Sequence, residues 1–178
     1  MKSGYDWVRG FHTSVPWCHL VWNTLNLPKT SFICWAIMHC RLLTKDRLIR
    51  MGMNVDPLCD ICRVCSEDHQ HLFVDCSYFL YYFKLLLDSL RLNVQPATVA
   101  HWFSNARNVP KLQKRVFGAT YVALLYQIWM CRNEARVSQF VRRPEIVVQQ
   151  VLNGVKLRFQ RLNVSKLKHR DSVWFLSL

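Results

Sequence analysis

Apolar positions recur along this chain mostly at three- and four-residue intervals, the spacing that sets one face of an α-helix against a core. In "SFICWAIMHCRLL" the residues Phe32, Trp35, Ile37 or Met38, and Leu42 fall at that spacing, with Thr30 or Ser31 placed to cap the start. This predicts a helix over residues 31–42. "TKDRLIRMG" predicts a short helix over 44–51, in which Thr44 caps, Asp46 complements the dipole and Gly52 closes a left-handed turn. "SYFLYYFKLLLDSLRL" is apolar nearly all round, so a buried helix is expected near 76–90. Further helices are expected over 111–136 and 145–162, and the proline-bracketed "PATVAHWFSNARNVP" should hold one more short helix. In the last helix Val147, Val151, Val155, Phe159 and Leu162 form one stripe, with Lys156, Arg158 and Arg161 off it. Pro144 suits the first turn, where its missing N–H costs nothing. Period-two alternation is weak throughout, so the expected fold is mainly α.

Composition narrows the class. Apolar residues make up 51% of the 178, enough for a folded core rather than a disordered segment. The most apolar run, "VFGATYVALLYQIWMC", falls short of the roughly 20 residues a bilayer crossing needs, and Arg115 and Arg132 close its ends. A buried helix is expected there and no membrane partner. "MKSGYDWVRGFHTSVPW" has no apolar h-region, so no secretory signal is expected and the location expected is intracellular, nucleus or cytoplasm. In a reducing compartment cysteines more often hold metal than pair with one another.

That bears on "CDICRVCSEDHQHLFVDC", which packs four cysteines and two histidines into Cys59–Cys76. It can be written C-x2-C-x8-H-x4-C with Cys59, Cys62, His71 and Cys76. Two residues between cysteines let the backbone turn so that both sulfurs reach one ion while amides remain to bond the thiolates. Three thiolates and one imidazole form a closed tetrahedral set, the structural kind of Zn2+ site. Cys65 makes a second C-x2-C with Cys62, and His69 lies two residues before His71, so either is an alternative ligand. Asn54, Asp56 and Pro57 place a turn before the first cysteine. Cys18, Cys34, Cys40 and Cys131 stand alone in apolar or aromatic settings and are expected as free, non-ligating thiols. The architecture expected is a helical domain with a CCHC zinc knuckle between its second and third helices.

The stretch from "LPKTSFICWAIMHCRLLTKDRLIRMG" through "CDIC" and "EDHQHLFVDC" resembles the zinc-binding region of plant LINE-type (non-LTR) retrotransposon reverse transcriptases. The resemblance covers about residues 17–83 and rests on Trp22, Pro28, Lys29, Phe32, Trp35, Leu42, Thr44, Asp46 or Arg47, Leu48, Cys59, Cys62, Glu67, His71, Leu72, Phe73 and Cys76 in order. Downstream, "IWMCRN" (Ile128 to Asn133) resembles an IW-x2-RN element of such polypeptides. The resemblance implies Cys59, Cys62, His71 and Cys76 as ligands and demotes Cys65 and His69. The endonuclease and polymerase parts of the family have no counterpart here, since the acidic residues are scattered and no aspartate pair is placed to hold two metal ions. The expectation is a non-catalytic remnant of such an element or a host protein derived from one. Its division would be a docking segment (1–16), a zinc-binding unit (17–92) and a basic helical region packed on it (93–178).

Charge adds a partner. Residues 1–100 carry ten Lys/Arg against eight Asp/Glu, whereas residues 101–178 carry fourteen against three, a net +11 of the chain's +13. Nucleic acid bound mainly through phosphates is the partner this implies, the alternatives being a merely solvated basic surface or a protein-interaction scaffold. The candidate contacts are Arg142, Arg143, Lys156, Arg158, Arg161, Lys166, Lys168 and Arg170. Tyr81, Tyr82 and Trp102 are candidates for base stacking, against a competing assignment to the core.

Overall fold

The apolar run from Val116 to Cys131 lies inside a helix that spans Lys111–Ser138, and the other long helices pack around it. The computed structural model describes residues 15, 17–96, 99, 109–163 and 174–175. In chain order it shows α1 (Cys18–Val21), α2 (Pro28–Met38), α3 (Lys45–Arg50), a π-helical turn (His71–Asp75), α4 (Ser77–Leu90), α5 (Lys111–Ser138) and α6 (Pro144–Asn163). Among the described residues there is no strand, only an isolated bridge between Leu58 and Ser66. None of the described helices is long and apolar enough to cross a membrane. The expected segment 1–16 (Val15 apart) and most of the expected short helix between the prolines lie outside the described residues, as does Trp102.

α4, α5 and α6 form a three-helix core. Phe79 stacks on Phe83 at 5.8 Å, Phe83 meets Tyr121 edge-on at 5.6 Å, and Phe117 lies 6.1 Å from Tyr121. α6 adds Val147, Val151, Val155 and Phe159, all buried as the stripe predicts, but Leu162 is 41% exposed because the stripe runs off the packed part of the helix. The Tyr82 hydroxyl is buried between α4 and α6 and donates to the Arg142 carbonyl at 2.5 Å, so Tyr82 is core and not a stacking platform.

α2 departs from the expected boundaries at both ends. It starts at Pro28, not Ser31, because proline supplies the first-turn φ at no cost in hydrogen bonds. The Thr30 and Ser31 hydroxyls then donate back to the Leu27 and Val21 carbonyls, at 2.9 and 2.7 Å, instead of capping. The helix stops at Met38, before the expected Leu42, where Cys40 enters the left-handed region (φ 49°) and the Arg41 amide bonds back to the Ala36 carbonyl. The inward face is only partly the expected one, since Ile37 and Leu42 are buried while Trp35 and Met38 are half-buried. Thr30, Ser31, Cys34, Ala36 and Ile37 are buried, and small residues there let α2 lie close on α5. Phe32, at the head of the expected stripe, is 62% exposed.

Two side-chain ties fix α1 against its neighbours. The Asn26 amide donates to the Leu20 and Val21 carbonyls, and the Asn23 amide donates to the Arg115 carbonyl of α5 at 2.7 Å. Arg115 returns a bond to Thr24 at 2.9 Å.

Denaturant unfolding should separate the two kinds of aromatic. Phe117→Ala, which empties a fully buried site, should cost about 3–5 kcal/mol, whereas Phe32→Ala should change stability by no more than about 0.5 kcal/mol. Equal losses would show that the Phe32 ring is packed in the core.

Candidate metal centre

Cys59, Cys62, His71 and Cys76 bring one ligand atom each to within 4.8 Å of one another. Cys62 Sγ lies 3.3 Å from His71 Nε2. Thiolates about 2.3 Å from one tetrahedral ion stand roughly 3.8 Å apart, so the cluster fits a zinc ion with sub-ångström adjustment. Cys59 and Cys76 are fully buried, and Cys62 and His71 lie nearer the surface.

The local fold follows from short-range bonds. The Asp56 carboxylate accepts the Leu58 amide at 3.0 Å, forming the turn that the Asn-x-Asp-Pro stretch implied. The Cys59 amide donates to the Cys65 carbonyl and the Glu67 amide to the Pro57 carbonyl, both at 2.8 Å, which closes the knuckle. Arg63 takes φ 58° to complete the turn after Cys62. His71 and Cys76 would stand about 140° apart around an α-helix, facing different directions. The π-helical turn removes that problem, with the Cys76 amide bonded to the His71 carbonyl at 2.7 Å. Such turns recur at functional sites, and no residue pattern announced this one.

The thiols are electrostatically unequal. Cys59 donates a hydrogen bond to Cys76, and this bond, with burial second, pushes the Cys59 pKa up. The same bond holds Cys76 below the ordinary thiol value against the opposing effect of burial, and the Tyr78 and Phe79 amides at the start of α4 add to the shift. The Ile61 and Cys62 amides act in the same sense on Cys59. Backbone donors thus already face the two buried sulfurs, as thiolate ligands require.

The other thiols differ. Burial pushes Cys34 up to about 12 and raises Cys131, which makes both inert hydrophobes. Cys40 is exposed, contrary to the apolar setting expected, because it sits at the left-handed exit of α2. No disulfide joins any of these cysteines. Cys65 is exposed and outside the converging group. His69 is also outside it, with Nδ1 3.2 Å from the Thr44 hydroxyl.

The carboxylates of the loop bind the loop to the body. Glu67 is 1% exposed and accepts the Lys45 amide at 3.0 Å, so it caps α3 from across the chain. Thr44, the expected cap, instead donates to Asp46 at 2.5 Å. Glu67 also accepts Arg132 of α5 through Nε at 3.0 and 3.1 Å and through Nη2 at 2.5 Å. The Arg132 guanidinium lies 5.0 Å from the Trp129 ring and donates to Asn133 at 3.0 Å. Each named residue of "IWMCRN" thereby has a task, with Ile128 in the core. Asp60 pairs with the buried Lys45 at 2.7 Å, and Asp68 accepts the His71 amide at 2.7 Å. The sequence contained one signal for these ties, the joint presence of Glu67 and the distant IW-x2-RN element.

Of the candidate phosphate contacts, Arg143 and Arg161 are exposed, and Lys156 and Arg158 are half-buried. At 100° per residue, Lys156 and Arg158 flank the buried stripe of α6 on opposite sides. Arg142 is neutralised by Glu134 at 2.7 Å. Tyr81 donates to Glu145 at 3.1 Å. Lys166, Lys168 and Arg170 lie outside the described residues.

Metal analysis of native protein should return one zinc per chain. Cys59→Ser and His71→Ala should lose it, and Cys65→Ser and Cys34→Ser should retain it. Retention should fall as pH falls, because thiol and imidazole ligands must be deprotonated to bind. Arg132→Met should cost about 3–5 kcal/mol in denaturant unfolding by stranding the Glu67 charge, and adding Glu67→Gln should restore part of that loss. A single variant as stable as the parent would show that the pair does not hold the loop.

No curated protein and no solved structure matches the chain. Residues 1–82 match the family described as "zinc-binding in reverse transcriptase", a span that contains all four converging side chains and Glu67.

Proposed function

We propose that this chain is a non-catalytic zinc-binding module that binds nucleic acid through phosphate contacts, derived from a plant LINE-type reverse-transcriptase polypeptide. The carrying observation is the convergence of Cys59, Cys62, His71 and Cys76 within the span that matches the reverse-transcriptase zinc-binding family. Four protein ligands around one zinc leave no coordination position for water or substrate, so the ion would be structural. It would brace a loop that is otherwise held by buried ion pairs.

The nucleic-acid part rests on the +11 carried by residues 101–178. Two of the three acids in that half, Glu134 and Glu145, are already engaged, the first by Arg142 and the second by Tyr81. The exposed Arg143 and Arg161, with Lys156, would then face phosphates, and Lys166, Lys168 and Arg170 would extend the same basic segment. A scaffold reading drew on the apolar character of the helices around 76–92 and 116–131. Their inward faces are buried against each other and against α6, which leaves Tyr78, Leu80 and Tyr81 as the exposed apolar surface on which a scaffold reading would rest.

Fluorescence anisotropy of labelled RNA and DNA on zinc-loaded protein tests the reading. With about four phosphate contacts, affinity should fall roughly 50- to 150-fold between 50 and 200 mM salt. Arg143→Gln, Lys156→Gln and Arg161→Gln combined should weaken binding about equally for all sequences and flatten the salt slope by about two to three. Absence of binding at the lowest salt would remove the nucleic-acid reading and leave the zinc site standing.

A further inference from the structure

A row of rings runs from the exposed Phe32 and His39 to the half-buried Trp35 and Trp17. Phe32 stacks on Trp35 at 5.9 Å, Trp35 lies 4.9 Å from His39, and His39 meets Trp17 edge-on at 5.3 Å. The Arg41 guanidinium sits 5.0 Å over Trp35. At the end of α1, Trp22 is 65% exposed, and a cavity of about 420 Å³ lies between it and the Phe32–Trp35 pair. Arg158 of α6 closes the far side.

Trp22 and Phe32 share one cavity and so form a contiguous apolar patch, the kind of surface that marks an interaction site. The chemistry of the lining says what the use is. Among the described residues the lining contains no carboxylate and one formal charge, that of Arg158, which makes no hydrogen bond or ion pair with them and whose Nε is buried without a partner. Arg158 also lines a second cavity of about 130 Å³ together with Lys29, whose ammonium lies 5.2 Å over Tyr126. Asn26 lines both cavities at 7% exposure, and with its amide nitrogen committed to Leu20 and Val21, its oxygen is buried with no partner. Rings interleaved with unneutralised cations are what an unpaired polynucleotide needs, with π-faces for bases and positive charge for the backbone between them. An apolar protein segment would have use for the rings but not for the free arginine.

We infer that the groove between Trp22, Phe32 and Arg158 stacks unpaired bases of a single-stranded RNA or DNA. This rests on the nucleic-acid reading above and extends it from the flank of α6 to the α1–α2 surface. Trp22 and Phe32 supply the stacking faces, and Arg158 contacts the phosphate between two bases.

The test compares single strands of about 12 nucleotides, RNA and DNA, with a duplex of the same sequence, by anisotropy on the zinc-loaded full chain. Trp22→Ala and Phe32→Ala should each weaken single-strand binding roughly 5- to 150-fold and leave duplex binding within about twofold, since a paired base offers no free face to stack. Trp22→Phe keeps a ring and should recover most of the loss, which separates stacking from misfolding. Arg158→Gln should reduce the single-strand salt slope by about 0.7. Ring variants that bind single strands as tightly as the parent, or that lose single-strand and duplex binding alike, would overturn the groove assignment and leave that surface to a protein. Parental protein that binds duplex and single strand with a steep salt dependence, beside inert ring variants, would sink the groove alone. Parental protein that binds neither would sink both readings.

Discussion

The carboxylate of Glu67 is the point where the metal loop, α3 and α5 meet. It accepts the first amide of α3 and the guanidinium of Arg132 while fully removed from water. Burying two such charges costs several kcal/mol per ion before their attraction returns any of it, so the pair contributes little net stability. What it contributes is register. A slip of the loop along α5 would leave either charge buried and alone, a far worse state than the native one. The loop is therefore held in one place by the penalty on every other place.

That constraint matters because the loop cannot hold itself by apolar burial. Ile61 reaches the core, but Val64 and Cys65 point into solvent. Around them the acids are spent on structure: Asp60 on the buried Lys45, Asp68 on the amide that opens the π-helical turn, Asp56 on the turn before Cys59. A zinc ion would add the remaining tie, joining the knuckle to the start of α4 through Cys76. The site and the fold then depend on each other, since the ligands converge only if the loop is registered, and the registered loop caps α3.

The same economy of close packing shapes the surface. α2 turns its small side chains toward α5, the ring of Phe32 is left outside, and Trp35 is half-buried beside it. α6 buries its valines and leaves Lys156 and Arg158 on either flank, Arg158 toward the rings of α1 and α2. Aromatic and cationic groups that lie far apart in the chain thereby become neighbours, Trp22 and Phe32 with Arg158.

Helix positions were largely legible in the sequence, because α4, α5 and α6 each carry their own limits and an apolar face within a local window. The converging Cys/His cluster was legible for a similar reason, as cysteine spacing is a short-range property and the cluster spans only residues 59–76. Other features were not written locally. α2 is apolar on several sides, so its spacing could say that it is a helix but not which side faces inward; the close approach of α5 chose the small residues. Thr44 read as a cap, yet the acceptor for the start of α3 came from Glu67, twenty-two positions away. Arg132 read as the polar end of an apolar run, and it proved to be the buried partner of that same glutamate, sixty-five positions away. Short-range geometry is determined by the chain's own bonds and propensities. The pairing of buried charges and the choice of outward rings depend on which distant surfaces meet, and that only the packed molecule decides.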